Sequence, residues 1–178
     1  METLNPNQLA EEGQAEYLKK EYLSAARLYK AAADGFFAAE DKIKAAEMAN
    51  NCSVAFFKGG NAQAALEVAS GTQDVFASMG DTRQQAMALG NQAAALEKLN
   101  RLDEAMSAYE KSAALLMDCG EAELRAYVLQ AMSNIQLRKR KYLEAYATMM
   151  SGVMGIKKPN LRQRLLKSLI QIPLKLMR

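Results

Sequence analysis

Side chains that could act as a catalytic base or an activated nucleophile are few in this sequence. It contains no His, which removes the commonest general base and any triad in which imidazole activates Ser or Cys. Cys52 and Cys119 lie far apart without CxxC or zinc-ligand spacing, so we expect two small buried hydrophobic residues in a reducing compartment. The sequence also lacks phosphate-loop, dinucleotide and EF-hand patterns. These features argue against an enzyme and against a bound cofactor or metal.

Other side chains could take part in binding through hydrogen bonds and charge. Four Asn residues lie within helix-like stretches, where Asn is unfavourable because its side chain competes with the backbone for hydrogen bonds. They are Asn50, Asn51, Asn91 and Asn134. Three cations, Lys58, Lys98 and Arg138, are spaced forty residues apart. The secondary structure that carries these residues should explain why the amides and the cations occur at these positions.

Those elements repeat every forty positions. Sliding the sequence by forty aligns, without a gap, the segments that begin at Tyr22, Ala62, Leu102 and Tyr142. Small residues recur at one equivalent position, namely Ala25, Ala65, Ala105 and Ala145. Two helices approach closely only where the facing side chain is little more than a methyl group. We therefore expect these alanines at the closest helix crossings.

Each repeat contains two amphipathic stretches joined by a short polar link, such as Gly59-Gly60-Asn61 or Lys139-Arg140-Lys141. This pattern predicts one helical hairpin per repeat, in repeats 1–40, 41–80, 81–120 and 121–160. At Gly80-Asp81 and Gly120-Glu121, Gly fits a helix stop and the acidic residue fits the start of the next helix. Half of the 178 residues are apolar and only three are Pro, so the fold class is all-α.

The repeat resembles the tetratricopeptide repeat. The positions that carry the resemblance in the first repeat are Leu9, Gly13, Tyr22, Ala25, Tyr29 and Ala32, and in the third Leu89, Ala93, Leu102, Ala105 and Tyr109. The forty-residue length is most similar to the variety in kinesin light chains and related cargo adaptors. The resemblance implies a right-handed superhelix (α-solenoid) of four antiparallel helix pairs that binds other proteins as a scaffold or adaptor.

Two repeats depart from this pattern. The second has Ala62, Ala69 and Thr72 where the motif prefers larger or aromatic groups, which predicts looser packing. The fourth ends in Gly152 and Gly155, which predicts a frayed or bent last helix.

By the same resemblance, the first helix of each pair lines a concave groove that binds a peptide or helix of a partner. The candidate groove residues are Asn50, Asn51, Lys58, Asn91, Lys98, Asn134 and Arg138. Further candidates on that face are Asn7, Gln14, Tyr17, Val54, Phe57, Glu97, Gln130 and Leu137. The amides would hold the peptide backbone and the cations would favour an acidic ligand. The alternatives are that the amides are solvated or cap local turns, and that the cations are solvated hairpin ends.

The C-terminal segment is basic and amphipathic. Its seven cations are Lys157, Lys158, Arg162, Arg164, Lys167, Lys175 and Arg178, and no acidic residue follows Glu144. Leucines and isoleucines from Leu161 to Leu176 share one helical face. Residues 161–178 are therefore interpreted as a helix that caps the repeat stack, and the alternative is a tether to an anionic membrane surface or a partner.

The partner predicted from these observations is another protein. Nucleic acid is disfavoured, because without the tail cations the chain carries 16 basic and 20 acidic residues and no aromatic residues interleave with the cations. The first residues lack a signal-peptide pattern and no apolar stretch is long enough to span a bilayer, so we expect a cytoplasmic protein. Self-association stays open.

Overall fold

The computed structural model describes residues 5–156 and 164, and within them all regular structure is helical. The all-α prediction is confirmed. The helices are α1 (Pro6–Leu18), α2 (Tyr22–Ala38), α3 (Lys42–Lys58), α4 (Ala62–Ala69), α5 (Thr72–Ser78), α6 (Thr82–Lys98), α7 (Leu102–Asp118), α8 (Ala122–Arg138) and α9 (Tyr142–Met154). None of these helices has the length and apolar character that a membrane span requires.

Helix starts follow the forty-residue period of the sequence. Helices α2, α4, α7 and α9 begin at residues 22, 62, 102 and 142, and α3, α6 and α8 begin at residues 42, 82 and 122. Every twentieth residue from Lys20 to Arg140 has a positive φ and lies in the turn that ends a helix. At the first turn the N–H of Lys20 donates to the Tyr17 carbonyl and that of Glu21 to the Glu16 carbonyl, both at 3.0 Å. This Schellman pattern satisfies the last carbonyls of the helix.

Side-chain caps start several of the following helices. The Oδ1 atoms of Asp41 and Asp81 accept hydrogen bonds from the N–H groups of Lys44 at 3.0 Å and Gln84 at 2.9 Å. The predicted acidic helix start is confirmed at Asp81, whereas Glu121 makes no side-chain cap bond.

The chain divides into two compact units, Met1–Ala108 and Tyr109–Arg178, with the boundary inside α7. In the first unit α2 packs between α1 and α3, α3 packs on α4 and α5, and α6 packs on α4 and α5. In the second unit α8 packs on α9.

The small residues singled out by the repeat lie in the core. Ala25, Ala65 and Ala105 are 0% exposed and Ala145 is 1% exposed. Facing serines use the same close approach: Ser53 Oγ donates to the Ala65 carbonyl at 2.8 Å, and Ser133 Oγ donates to the Ala145 carbonyl at 2.9 Å. A small residue here therefore brings the backbone of the paired helix within hydrogen-bonding reach.

The second repeat differs from the predicted hairpin, because its second helix is broken into α4 and α5. Gly71 adopts a left-handed conformation with φ of 80°, which ends the helical hydrogen bonding of α4. The Ala69 carbonyl accepts hydrogen bonds from Thr72 Oγ1 and Gln92 Nε2, both at 2.8 Å. The predicted looser packing is not seen at Ala62, Ala69 and Thr72, which are all buried; the departure of this repeat is instead a break in its second helix, held by side chains.

Further predictions concern the two cysteines and the C-terminal helices. Cys52 is buried as predicted, but Cys119 is exposed because it follows the last residue of α7 instead of lying on its packed face. Helix α9 continues through Gly152 to Met154. The proposed capping helix 161–178 lies outside the described residues except for Arg164, which is helical and exposed.

Candidate functional site

A small pocket in the first unit gathers side chains from the predicted groove face. It has a volume of about 180 Å³ and is lined by Gln14 and Tyr17 of α1, Tyr29 of α2, and Asn51 and Val54 of α3. Four of these five residues were predicted from the repeat positions, and Tyr29 joins them from the second helix of the pair. Amide, aromatic and aliphatic side chains of α1 and α3, the first helices of neighbouring repeats, therefore lie together in this pocket.

Hydrogen bonding and ring packing fix the walls of this pocket. Tyr29 is 3% exposed, and its hydroxyl donates to Gln14 Oε1 at 2.8 Å. Burial raises the pKa of the Tyr29 phenol. The Tyr17 ring lies edge-on to Tyr22 with 5.4 Å between the ring centroids. Asn51 also lines this pocket and is exposed, and an amide can both donate and accept hydrogen bonds.

Asn50 and Asn91 have an intramolecular partner that Asn51 does not share. Asn91 Nδ2 donates to Asn50 Oδ1 at 2.8 Å, which links α3 to α6 across repeats. Asn50 is 6% exposed. This bond is a structural reason for two of the mid-helix amides, whereas Asn51 in the first unit and Asn134 on α8 are exposed. The role of each amide in ligand binding stays a prediction.

The three equally spaced cations occupy one kind of position. Lys58, Lys98 and Arg138 each lie in the last turn of α3, α6 and α8, and each is exposed. A cation there interacts favourably with the negative end of the helix dipole. Lys58 and Lys98 belong to the first unit and Arg138 to the second. Their spacing thus has a local explanation beside the predicted attraction of an acidic ligand.

The structure adds a second pocket that the sequence reasoning missed. It has a volume of about 330 Å³ and lies where α2 and α3 face the break between α4 and α5. The residues that line it include Ala45, Ala46, Val68, Gly71 and the exposed Phe37. The segment Ser70-Gly71-Thr72 could have indicated the helix break beside this pocket, since Gly71 stands where the first and third repeats have Ala31 and Lys111.

The two pockets differ in their linings. The first is lined by amide, aromatic and aliphatic side chains, whereas the second combines small apolar residues with the charged side chains of Asp34 and Lys42 and the hydroxyls of Ser70 and Thr72. Among residues 5–156 and 164, no three His, Cys, Asp or Glu side chains are grouped to hold a metal ion. Of the predicted tail residues, Lys157, Lys158, Arg162 and Lys167 lie outside the described part of the chain.

The fold defines a protein of the helical-repeat class. A family model described as soluble NSF attachment protein, SNAP, matches residues 10–168, and the chain therefore belongs to the SNAP family. This is a family of TPR-like helical solenoids and non-enzymatic adaptors. The finer resemblance to the kinesin light chain variety stays a prediction. No curated protein sequence matches the chain significantly.

Proposed function

We propose that this chain is an adaptor that binds a peptide or helix of a partner protein along the first helices of its repeats. Family members are helical adaptors that bind NSF and SNARE proteins, so NSF is the first partner to test. The observation that supports the groove is the pocket of Gln14, Tyr17, Tyr29, Asn51 and Val54. The kinesin-light-chain-like arrangement of four hairpins belongs to this proposal.

Asn51 and Val54 are the residues that test the groove. Asn51→Ala removes an exposed amide, and we expect a loss of about tenfold in affinity for purified NSF, the equivalent of one hydrogen bond. Val54→Asp places a charge in the pocket and should abolish binding. Gln63→Ala is the matched control, because Gln63 is an exposed amide on α4, the second helix of its pair.

The outcomes of this experiment separate the partner from the site. No binding of NSF by the unaltered chain would rule out NSF as the partner. Binding that Asn51→Ala and Val54→Asp leave unchanged would rule out this groove. The cationic row is tested in the same assay with Lys58→Gln and Lys98→Gln, which we expect to weaken binding and its dependence on salt if the ligand is acidic.

A second proposal concerns residues 157–178, whose seven cations and absence of acidic residues suit an anionic membrane surface on the cytoplasmic side. Replacing Arg162, Arg164 and Lys167 with Gln should lower sedimentation with phosphatidylserine-containing vesicles. Unchanged sedimentation of this variant would exclude the segment as the tether and favour its alternative role as a cap.

A further inference from the structure

The turn between α8 and α9 in the second unit has four consecutive cations. Arg138, Lys139, Arg140 and Lys141 are all exposed. The equivalent turn of the first repeat reads Leu18-Lys19-Lys20-Glu21, and that of the second reads Lys58-Gly59-Gly60-Asn61. We call residues 137–143 the α8–α9 tip. Its charge is not a general property of the repeat.

Exposed apolar side chains flank these cations. Leu137 is 48% exposed, Tyr142 is 63% exposed and Leu143 is 87% exposed. In the first repeat the equivalent Tyr22 packs edge-on against Tyr17 at 5.4 Å. The equivalent Leu23 lies close to the next turn, since a Cβ added at Gly59 would come within 2.8 Å of Leu23 Cδ2. Neighbouring residues thus partly cover the side chains of Tyr22 and Leu23, whereas Tyr142 and Leu143 leave more apolar surface exposed.

The sequence around the tip differs in charge from the first unit. Glu144 is the nearest acidic residue in sequence, and its Oε2 pairs with Lys141 Nζ at 3.1 Å. Counted without the tail cations, residues 109–156 include 6 basic and 5 acidic residues, whereas Met1–Ala108 has 10 basic and 15 acidic residues. Formal charges are thus +1 and −5, from these differences, and four of the six basic residues are those of the tip. An anionic surface is therefore repelled by the first unit and attracted locally by the cations of the tip.

We propose that the α8–α9 tip is a contact site for an anionic lipid membrane, with Tyr142 and Leu143 in the interfacial layer and Arg138–Lys141 at the headgroups. Cations alone would equally suit an acidic protein. Leucine and tyrosine exposed beside them distinguish the membrane, because Leu partitions into the acyl boundary and Tyr places its hydroxyl at headgroup level. The long basic side chains reach the phosphates while their methylene stems follow the apolar layer.

The variants that test this inference differ from those that test the groove and the C-terminal tail. The groove is tested at Asn51, Val54, Lys58 and Lys98 in the first unit. Leu137 and Arg138 of the tip are also groove candidates, but the tip variants change neither of them and leave residues 157–178 unchanged. Failure of either proposal above therefore leaves the tip testable, and failure of the tip leaves both of them standing.

Vesicle sedimentation of the full chain tests the charges. We expect Lys139→Glu with Arg140→Glu to lower affinity for phosphatidylcholine vesicles containing phosphatidylserine at least tenfold, because each cation near such a surface contributes about fivefold. The matched control is Lys19→Glu with Lys20→Glu, which makes the same changes at the equivalent turn of the first unit and should change affinity less than about twofold. Circular dichroism verifies that the variants stay helical.

The apolar contact has its own reporter, since the sequence contains no Trp. Leu143→Trp should show a blue shift of its emission with phosphatidylserine-containing vesicles and none with phosphatidylcholine alone. Leu18→Trp, at a position 72% exposed on the first-unit turn, should show no shift. Leu143→Ser should weaken binding about tenfold.

Three results would overturn the proposal. The first is equal vesicle affinity of the tip variant and the unaltered chain. The second is an equal loss from both turn variants, which would reflect net charge alone. The third is binding to a soluble acidic polypeptide, weakened by the charge reversal, together with no emission shift on vesicles, which would assign the tip to an acidic protein.

Discussion

Individual residues at the helix turns adopt a conformation that their side chains disfavour. Lys20, Glu40, Asn100 and Arg140 have φ between 60° and 67°, whereas Gly60, Gly80 and Gly120 occupy the equivalent place in the other turns. An L-residue in this region is strained by contact of Cβ with the following carbonyl oxygen, at about 1–2 kcal/mol. The turns therefore differ in local stability although their hydrogen bonds are alike.

Glu40→Gly tests this strain. We expect the free energy of unfolding to rise by about 0.5–1 kcal/mol, since removal of Cβ relieves strain but also increases the freedom of the unfolded chain. Urea denaturation followed by circular dichroism measures the change. Lys30→Gly, at an exposed position inside α2, should lower stability by about 1 kcal/mol. A loss of stability in both variants would contradict the argument.

Because of Cys52, we expect the free energy of unfolding to fall as pH rises. Its thiol is fully buried and donates to the Ala26 carbonyl at 3.2 Å, and burial raises its pKa from 9.0 to about 12. Above pH 9 the unfolded chain releases this proton while the folded chain keeps it, so the thiol loses its stabilising contribution as pH rises.

We therefore expect the stability advantage of the unaltered chain over Cys52→Ala to shrink between pH 8 and pH 10.5. Urea titrations of the two proteins across this range measure the difference, and the shared titration of lysines and tyrosines cancels in it. Cys119→Ala is the control, because Cys119 is exposed. A difference that stays constant with pH would show that the Cys52 thiol ionises equally in both states.

At the scale of secondary structure, the break between α4 and α5 is the feature most dependent on side chains. The Ala69 carbonyl depends on Thr72 Oγ1 and Gln92 Nε2 for hydrogen bonds. Ala69 and Thr72 are buried, so a lost donor is not readily replaced by water.

Gln92→Ala is expected to lower the free energy of unfolding by about 1–2 kcal/mol, the cost of leaving a buried carbonyl with fewer partners. Equilibrium denaturation measures it. Gln63→Ala removes an exposed bond to Glu67 within α4 and should change stability by less than about 0.5 kcal/mol. Similar values for the two variants would show that the Gln92 contact contributes no more than a surface pair.

The sequence predicted the helical elements well because their signals are local. The period placed helix starts at Tyr22, Ala62, Leu102 and Tyr142, where the structure has them. The bond between Asn50 and Asn91 was not predictable, because it joins residues 41 positions apart through the particular packing of α3 on α6. Tyr29 was also missed as a pocket residue, since motif positions describe helix faces and not the reach of a long side chain.

At the scale of the whole molecule, each unit has its own core. Repeat proteins gain stability mainly from contacts between neighbouring elements, so a local change is felt mostly nearby. Ala25 and Ala145 occupy the same repeat position in different units and are 0% and 1% exposed. They provide a matched pair of sites for perturbing one unit at a time.

We expect Ala145→Leu to destabilise the second unit by about 1–3 kcal/mol through overpacking. Hydrogen exchange should accelerate in α8 and α9 and stay near its original rate in α1 to α3. Ala25→Leu should give the reverse pattern. Equal acceleration throughout the chain in both variants would indicate a single cooperative unit.

The regular spacing of the turns has a consequence for how such a chain can change in length. Because the turns recur every 20 residues from Lys20 to Arg140, also where α4 and α5 share one such interval, an in-frame duplication or loss of 40 residues adds or removes a complete hairpin. The small residues of the flanking hairpins then still face one another. Length can therefore vary in evolution without a new solution to helix packing.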